Sequence, residues 1–302
     1  MSLTSVGLIL LSSLFHALWN VLTQTSRNSN LLSGLKGVWI MLLGLVVYSL
    51  TGNEFFPTEI GIWIVLSGIL HGLYILSLSR AYSAQDISYV YPIARSAPVF
   101  VPFFSWILLG ERLGGVSFLA IAMILLAVYT LHFEGHLIRG FKNLWDAILH
   151  KDLRWAFITL ALVVAYSLVD KQGMDLFFLH RPDEKFANGL TFFFAEALIG
   201  FSICNLYLLW KYPRQEIVSV WRAEWLRGLI AGLATIGSYG LICVVLQSEP
   251  VGQVVAVRQT SVLMVVVWGC WKLSEPFGKQ RIVAACLTIL GVGLIAWDGS
   301  PS

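Results

Sequence analysis

Runs of about twenty apolar residues, each closed by a short polar stretch, recur ten times along the chain. A helix needs about twenty apolar residues to cross a hydrocarbon core of about 30 Å, so every run is long enough for one crossing. The spans read as Leu3 to Thr23, Leu32 to Thr51, Ile60 to Tyr82, Ile87 to Leu109, Gly115 to Phe133, Arg154 to Gln172, Phe186 to Trp210, Leu226 to Leu246, Val251 to Lys272 and Arg281 to Trp297. This pattern predicts an all-α integral membrane protein with ten transmembrane helices. Composition sharpens the reading, because 57% hydrophobic against 12% charged residues, with a mean hydropathy of +0.77, is too apolar for a soluble domain. The longest stretch between spans, Glu134 to Leu153, is too short to hold a soluble catalytic domain. The first run has no basic leader and no small-residue cleavage site, so it is expected to remain as the first helix.

The second five spans echo the first five. Leu109, Gly110, Glu111, Arg112, Leu113 and Gly114 close the fourth span; Leu273, Ser274, Glu275, Pro276, Phe277 and Gly278 close the ninth in the same pattern. Arg95 and Arg258 stand at matching depth higher in those two spans, and Ala17-Leu18-Trp19-Asn20 is echoed by Ser167-Leu168-Val169-Asp170. Five crossings per copy is an odd number, so the second copy enters from the opposite side, giving inverted repeats around a central cavity. The expected division is 1–133 for the first repeat, 134–153 for the connecting loop and 154–302 for the second repeat.

Loop charge agrees with the inversion. Glu54 and Glu59 follow the second span, whereas Lys211, Arg214, Arg222 and Arg227 follow the seventh. Of the 20 Lys and Arg, fourteen fall in loops after odd-numbered spans, four in loops after even-numbered spans, and Arg95 and Arg258 inside spans. That bias predicts both termini outside the cytoplasm; the expected location is the plasma (inner) membrane. The net charge of +3 comes with no basic cluster interleaved with aromatics, so no nucleic-acid partner is expected. Cys204, Cys243, Cys270 and Cys286 all fall inside spans without zinc or redox spacing and read as packing residues.

Polar residues within the spans mark the candidate chemistry. A charge at a helix centre costs about 2.5 to 3.5 kcal/mol on insertion scales, so it faces a cavity or a partner. Arg95 and Arg258 therefore suggest an anion clamp, since guanidinium offers a planar fork to carboxylate or phosphate; an ion pair with Glu196 or Asp170 is the plainer alternative. Pro92 and Pro98 flank Arg95 and are expected to kink or hinge the fourth span. Ser88, Tyr91, Arg95, Pro98 and Pro102 share one face of it. Ser67, His71, Tyr74 and Ser77 form a polar stripe on the third span. His16 and Asn20 lie beside Trp19 on the first, and Tyr166 with Asp170 repeats that spacing on the sixth. These stripes, with Tyr239 and Gln259, are the expected substrate contacts; hydrogen bonding between helices would account for the same residues. Glu196 and Asp170 are the acids well inside spans, hence candidates for proton coupling. Gly228 and Gly232 read as a close helix contact, and Glu111 and Glu275 as anchors of helix ends. His71 has no second ligand at metal spacing, so neither a metal nor a cofactor is expected.

In the order and spacing of Val90-Tyr91-Pro92-Ile93-Ala94-Arg95, Pro98, Leu109-Gly110-Glu111-Arg112, Tyr166 to Gly173, Val257-Arg258-Gln259-Thr260-Ser261 and Ser274-Glu275-Pro276, the chain resembles the drug/metabolite transporter superfamily, in its ten-helix EamA-type branch. The resemblance covers essentially the whole chain. It implies two inverted five-helix bundles around a cavity lined mainly by helices 1, 3, 4, 6, 8 and 9. Where the family pattern leads one to expect an acid after Arg258, Gln259 stands instead.

The expected function is secondary transport of a small polar metabolite, such as an amino acid or organic anion, by an exporter or exchanger working through alternating access. The expected partners are that small molecule and the lipid bilayer, with the chain acting as monomer or homodimer. The competing class is a membrane-embedded lipid or prenyl-phosphate transferase; such enzymes need paired acidic motifs for Mg²⁺, and the sequence has none. No Walker-type loop is present either.

Overall fold

The computed structural model describes residues 1–51, 57–84, 93, 96–133, 136–140, 142, 153–264 and 279–297. The helices run in chain order α1 Leu3–Gln24, α2 Ser29–Thr51, α3 Gly61–Ala84, α4 Ala97–Leu109, α5 Gly115–His132, α6 Arg154–His180, α7 Lys185–Lys211, α8 Arg214–Leu246, α9 Val251–Val257 and α10 Lys279–Trp297. Eight of them are long and apolar enough to cross a membrane, α4 and α9 being shorter. No strand occurs among the described residues.

Two compact units divide the chain differently from the sequence repeats. One comprises Met1–Ser13, Ser77–Leu168 and Glu249–Ser302; the other comprises Leu14–Leu76 and Val169–Ser248. In the first, α5 packs on α10, and α9 on α4 and α5. Helix α10 buries Ala284, Thr288, Gly291 and Ile295 and turns Ile282, Val283, Ile289 and Leu290 outward. Small or polar residues inside with large apolar ones outside suit a lipid solvent, where close backbone approach and not hydrophobic exclusion joins helices. Gly291 makes that approach, since a side chain there would meet the Ala120 carbonyl at 2.9 Å. Helix α4 closes on Gly110, whose φ of +70° costs glycine little. The Glu111 carboxylate then accepts the Val251 N–H at 3.1 Å, filling an open donor at the start of α9. Glu111 is thus an anchor between segments far apart in sequence.

In the second unit α2, α7 and α8 pack against one another. Gly228 lies against Leu35, and Gly232 against the Lys36 carbonyl and Trp39, so the pair does serve a close contact of α8 with α2. Helix α8 begins well before the expected Leu226 and bends at Glu224, whose φ of −123° and ψ of 21° leave the helical region. The extra turns form because Ile217, Val220 and Trp221, at i, i+3 and i+4, pack with Leu31, Cys204 and Leu208. At the bend, the Glu224 carboxylate accepts from the Arg27 N–H at 3.3 Å and from Arg227 Nη1 at 3.2 Å. Arg214 and Arg222, expected in a loop, therefore belong to a helix. Helix α6 likewise runs past Gln172, carried by buried Met174 and Phe177.

Three further expectations are corrected. Lys36 and Lys171, counted with the loops, lie buried within α2 and α6. The ninth span is interrupted: after Val257 the Gln259 N–H bonds to Ala256 and the Ser261 N–H to Arg258, the tighter three-residue pattern. Ser13 Oγ donates to the Arg258 carbonyl at this break, at 3.5 Å. Finally, Cys286 is exposed, which suits lipid contact and not packing, while Cys204 and Cys243 are buried. Cys270 lies outside the described residues.

Candidate functional site

Helix α3 approaches α7 more closely than side chains normally allow. Gly68 and Gly72, one turn apart on α3, face Gly200 on α7; a Cβ on Gly68 would meet the Glu196 carbonyl and Ile199 Cβ at 2.7 Å. This small-residue contact brings the polar stripe of α3 against the acid of α7. His71 Nδ1 lies 3.3 Å from Glu196 Oε2, with Glu196 itself almost fully buried. The same nitrogen is 3.1 Å from the Ser67 carbonyl and 3.3 Å from Ser67 Oγ.

Ser67 extends the chain of contacts. Its hydroxyl donates to Asp170 Oδ1 at 2.5 Å, and the Tyr239 hydroxyl donates to Asp170 Oδ2. Asp170 is completely buried. Tyr239 also sets its ring edge-on to His71, with centroids 5.0 Å apart. One unit of the fold thus holds the connected series Glu196, His71, Ser67, Asp170 and Tyr239, drawn from α3, α6, α7 and α8. Every link joins groups that can give or take a proton, so the arrangement can hold a proton at several alternative atoms and pass it between them. Such a network is sensitive to loss of any member, because a buried polar group without its partner is costly in a low-dielectric interior.

The other predicted residues are distributed as follows. Trp19, Asn20 and Tyr74 belong to the same unit as the series and are half-buried. Ser77, Tyr166, Arg258, Gln259 and Pro98 belong to the other unit. There the Thr159 hydroxyl donates to Ser77 Oγ at 3.0 Å, and Arg258 sits at the break after α9. Pro98 lies in the first turn of α4, where its missing N–H has no helical acceptor to lose, and Pro102 packs on Gly252. Tyr91, Pro92 and Arg95 lie outside the described residues.

Sequence reasoning missed Lys36. Its ammonium lies 3.8 Å above the Trp19 ring and 5.9 Å from the Phe201 ring. The signal was available: Lys36 follows Leu31 and Leu32 on a run that stays apolar to Thr51.

The model of the EamA-like transporter family matches this chain twice, over residues 3–133 and 176–297. The chain belongs to that family. The second match begins near the end of α6, and membrane transport is the family's activity. A curated relative from Sinorhizobium sp, an uncharacterized transporter in the cobO 3′ region, is 31% identical over 132 residues, which is 40% of this chain and 94% of the relative. A solved crystal structure that is 14% identical covers 98% of this chain and 98% of its own, with a TM-score of 0.73; it shares the fold. This EamA-family protein is accordingly an all-α, multi-pass membrane transporter.

Proposed function

We propose that the protein is a proton-coupled secondary carrier of a small polar metabolite, exporting or exchanging it across the inner membrane by alternating access of the two repeats. The observation that carries this reading is the buried series Glu196, His71, Ser67, Asp170 and Tyr239. Two carboxyl groups inside apolar helices are expensive to keep charged, and a carrier can use that expense by releasing a proton when the site meets water and recovering it when the site closes. A shared proton between His71 and Glu196 gives such a carrier two states of different charge. The carried substrate would then be bound in one charge state and released in the other, which is how a differential affinity drives a conformational equilibrium. The orientation that goes with this reading, from loop charge, has both termini away from the cytoplasm.

Its test begins with thermal-shift screening of the purified protein against amino acids, phosphorylated sugars, nucleobases and aromatic metabolites, since binding to the folded state raises apparent stability. The metabolite found is then assayed in proteoliposomes under an imposed pH gradient. Glu196→Gln and Asp170→Asn are expected to abolish uphill accumulation while leaving downhill exchange measurable. If both variants accumulate the metabolite as the parent does, the coupling assignment is wrong.

A further inference from the structure

Lys36 is a buried cation whose neighbours are rings. Only 5% of the residue is exposed, and no carboxylate or hydrogen-bond acceptor meets its ammonium among the described residues. The neighbours present are the Trp19 ring at 3.8 Å, the Phe201 ring at 5.9 Å and the Cys204 thiol, a weak acceptor that makes no hydrogen bond to it among the described residues. An aromatic face attracts an ammonium through its quadrupole but supplies no counter-charge and accepts no proper hydrogen bond. Three residues further along α2, the indole N–H of Trp39 is also buried without an acceptor among the described residues. Positions i and i+3 lie on the same side of a helix, with Cβ atoms about 5 to 6 Å apart. One side of α2 thus carries two donors in want of an acceptor, one of them charged.

Among the described residues this cation has no carboxylate or hydrogen-bonding partner. The other buried lysine of the same unit, Lys171, shows what a structural lysine looks like here: its ammonium donates to Asp175 Oδ1 at 2.6 Å and to the Leu246 carbonyl at 2.9 Å. Glycine contacts pin Lys36 in place, since Gly232 packs on its carbonyl and Gly37 lies against the Phe201 ring. These contacts hold the α2 backbone at Lys36 close against α7 and α8.

Resting on the transporter reading above, we propose that Lys36, walled by Trp19 and Phe201 and assisted by Trp39, binds the oxyanion of the transported substrate, a carboxylate or a phosphate monoester. The anion supplies the missing counter-charge, and the rings exclude water and strengthen the pairing. Substrates of this class enter as anions, and their neutral analogues leave the ammonium uncompensated.

The test uses the full chain in phosphatidylcholine nanodiscs with no pH gradient, so that its outcome does not depend on proton coupling. Apparent melting temperature is followed while inorganic phosphate, succinate or L-glutamate is titrated against a sodium chloride control of equal ionic strength. At least one oxyanion is expected to give a saturable rise that the control lacks. Lys36→Met should weaken its apparent affinity at least tenfold, and Lys36→Arg should retain most of it. Should Lys36→Met not fold, Lys36→Gln makes the same comparison. Equal affinity in the charge-free variant overturns the site, as does the absence of a saturable shift with all three oxyanions. Stabilisation seen only when phosphatidylglycerol is added to the nanodisc also overturns it, because the anion would then be a lipid headgroup and not a substrate.

Discussion

Asp170 and Lys36 are buried charges of opposite sign in one unit of the fold, and their surroundings differ in kind. Asp170 is met on both carboxylate oxygens by hydroxyl donors from two other helices, Ser67 of α3 and Tyr239 of α8. Lys36 is met by the faces of Trp19 and Phe201. Hydrogen bonds to a charged group stabilise it by about 1.5 to 3 kcal/mol each, whereas a cation over a ring gains about 0.5 to 2 kcal/mol. The acid is thus held by hydroxyl donors within a connected polar network, and the lysine beside aromatic faces that supply no counter-charge. On the functions proposed above, the contrast separates coupling from binding within the same set of helices.

The comparison breaks most severely at the glycine contact that brings the acid's network together. Gly68→Leu puts bulk where a Cβ already meets backbone oxygen at 2.7 Å, so α3 must move off α7. Overpacking of this sort costs about 3 kcal/mol, and the variant should lose several degrees of melting temperature in detergent together with the His71 to Glu196 contact. A parental melting temperature would show that the helices are not held this closely. Of similar size is Asp170→Ala, which leaves the Ser67 and Tyr239 hydroxyls without their acceptor, at about 1 to 3 kcal/mol each. Equilibrium unfolding should show that loss reduced in the Ser67→Ala, Asp170→Ala double variant, because the stranded donor is gone; strict additivity would mean that the two groups are not coupled. The smallest effect belongs to the lysine side. Trp19→Leu removes one ring from above the ammonium and should cost about 1 kcal/mol, and a loss as large as that of Asp170→Ala would mean that the ring, and not an anion, is what the lysine is built to meet.

Much of this molecule is readable without coordinates. Each of the ten expected spans begins or ends within a few residues of an observed helix, because an apolar run of crossing length has few other stable conformations in lipid. The polar stripe Ser67, His71 and the acids Asp170 and Glu196 were also visible, since charge and hydrogen-bonding groups stand out against apolar neighbours. What remained hidden was who meets whom. The α3 glycines and Gly200 are spaced unremarkably in the sequence, yet they set the distance between His71 and Glu196. Lys36 reads as a surface residue in the sequence because it lies only two turns inside α2, where a lysine usually reaches back to the surface.

The sequence by itself determined the membrane class, the ten-fold segmentation and the internal repeat, since these depend on local hydrophobicity and on periodicity along one chain. Only tertiary structure decided that Asp170 is shared by hydroxyls from α3 and α8, that Glu196 faces an imidazole and that Lys36 lies under Trp19. Those pairings join residues 17 to 125 positions apart, and they exist because helices with small-residue faces can approach closely enough for short polar side chains to touch.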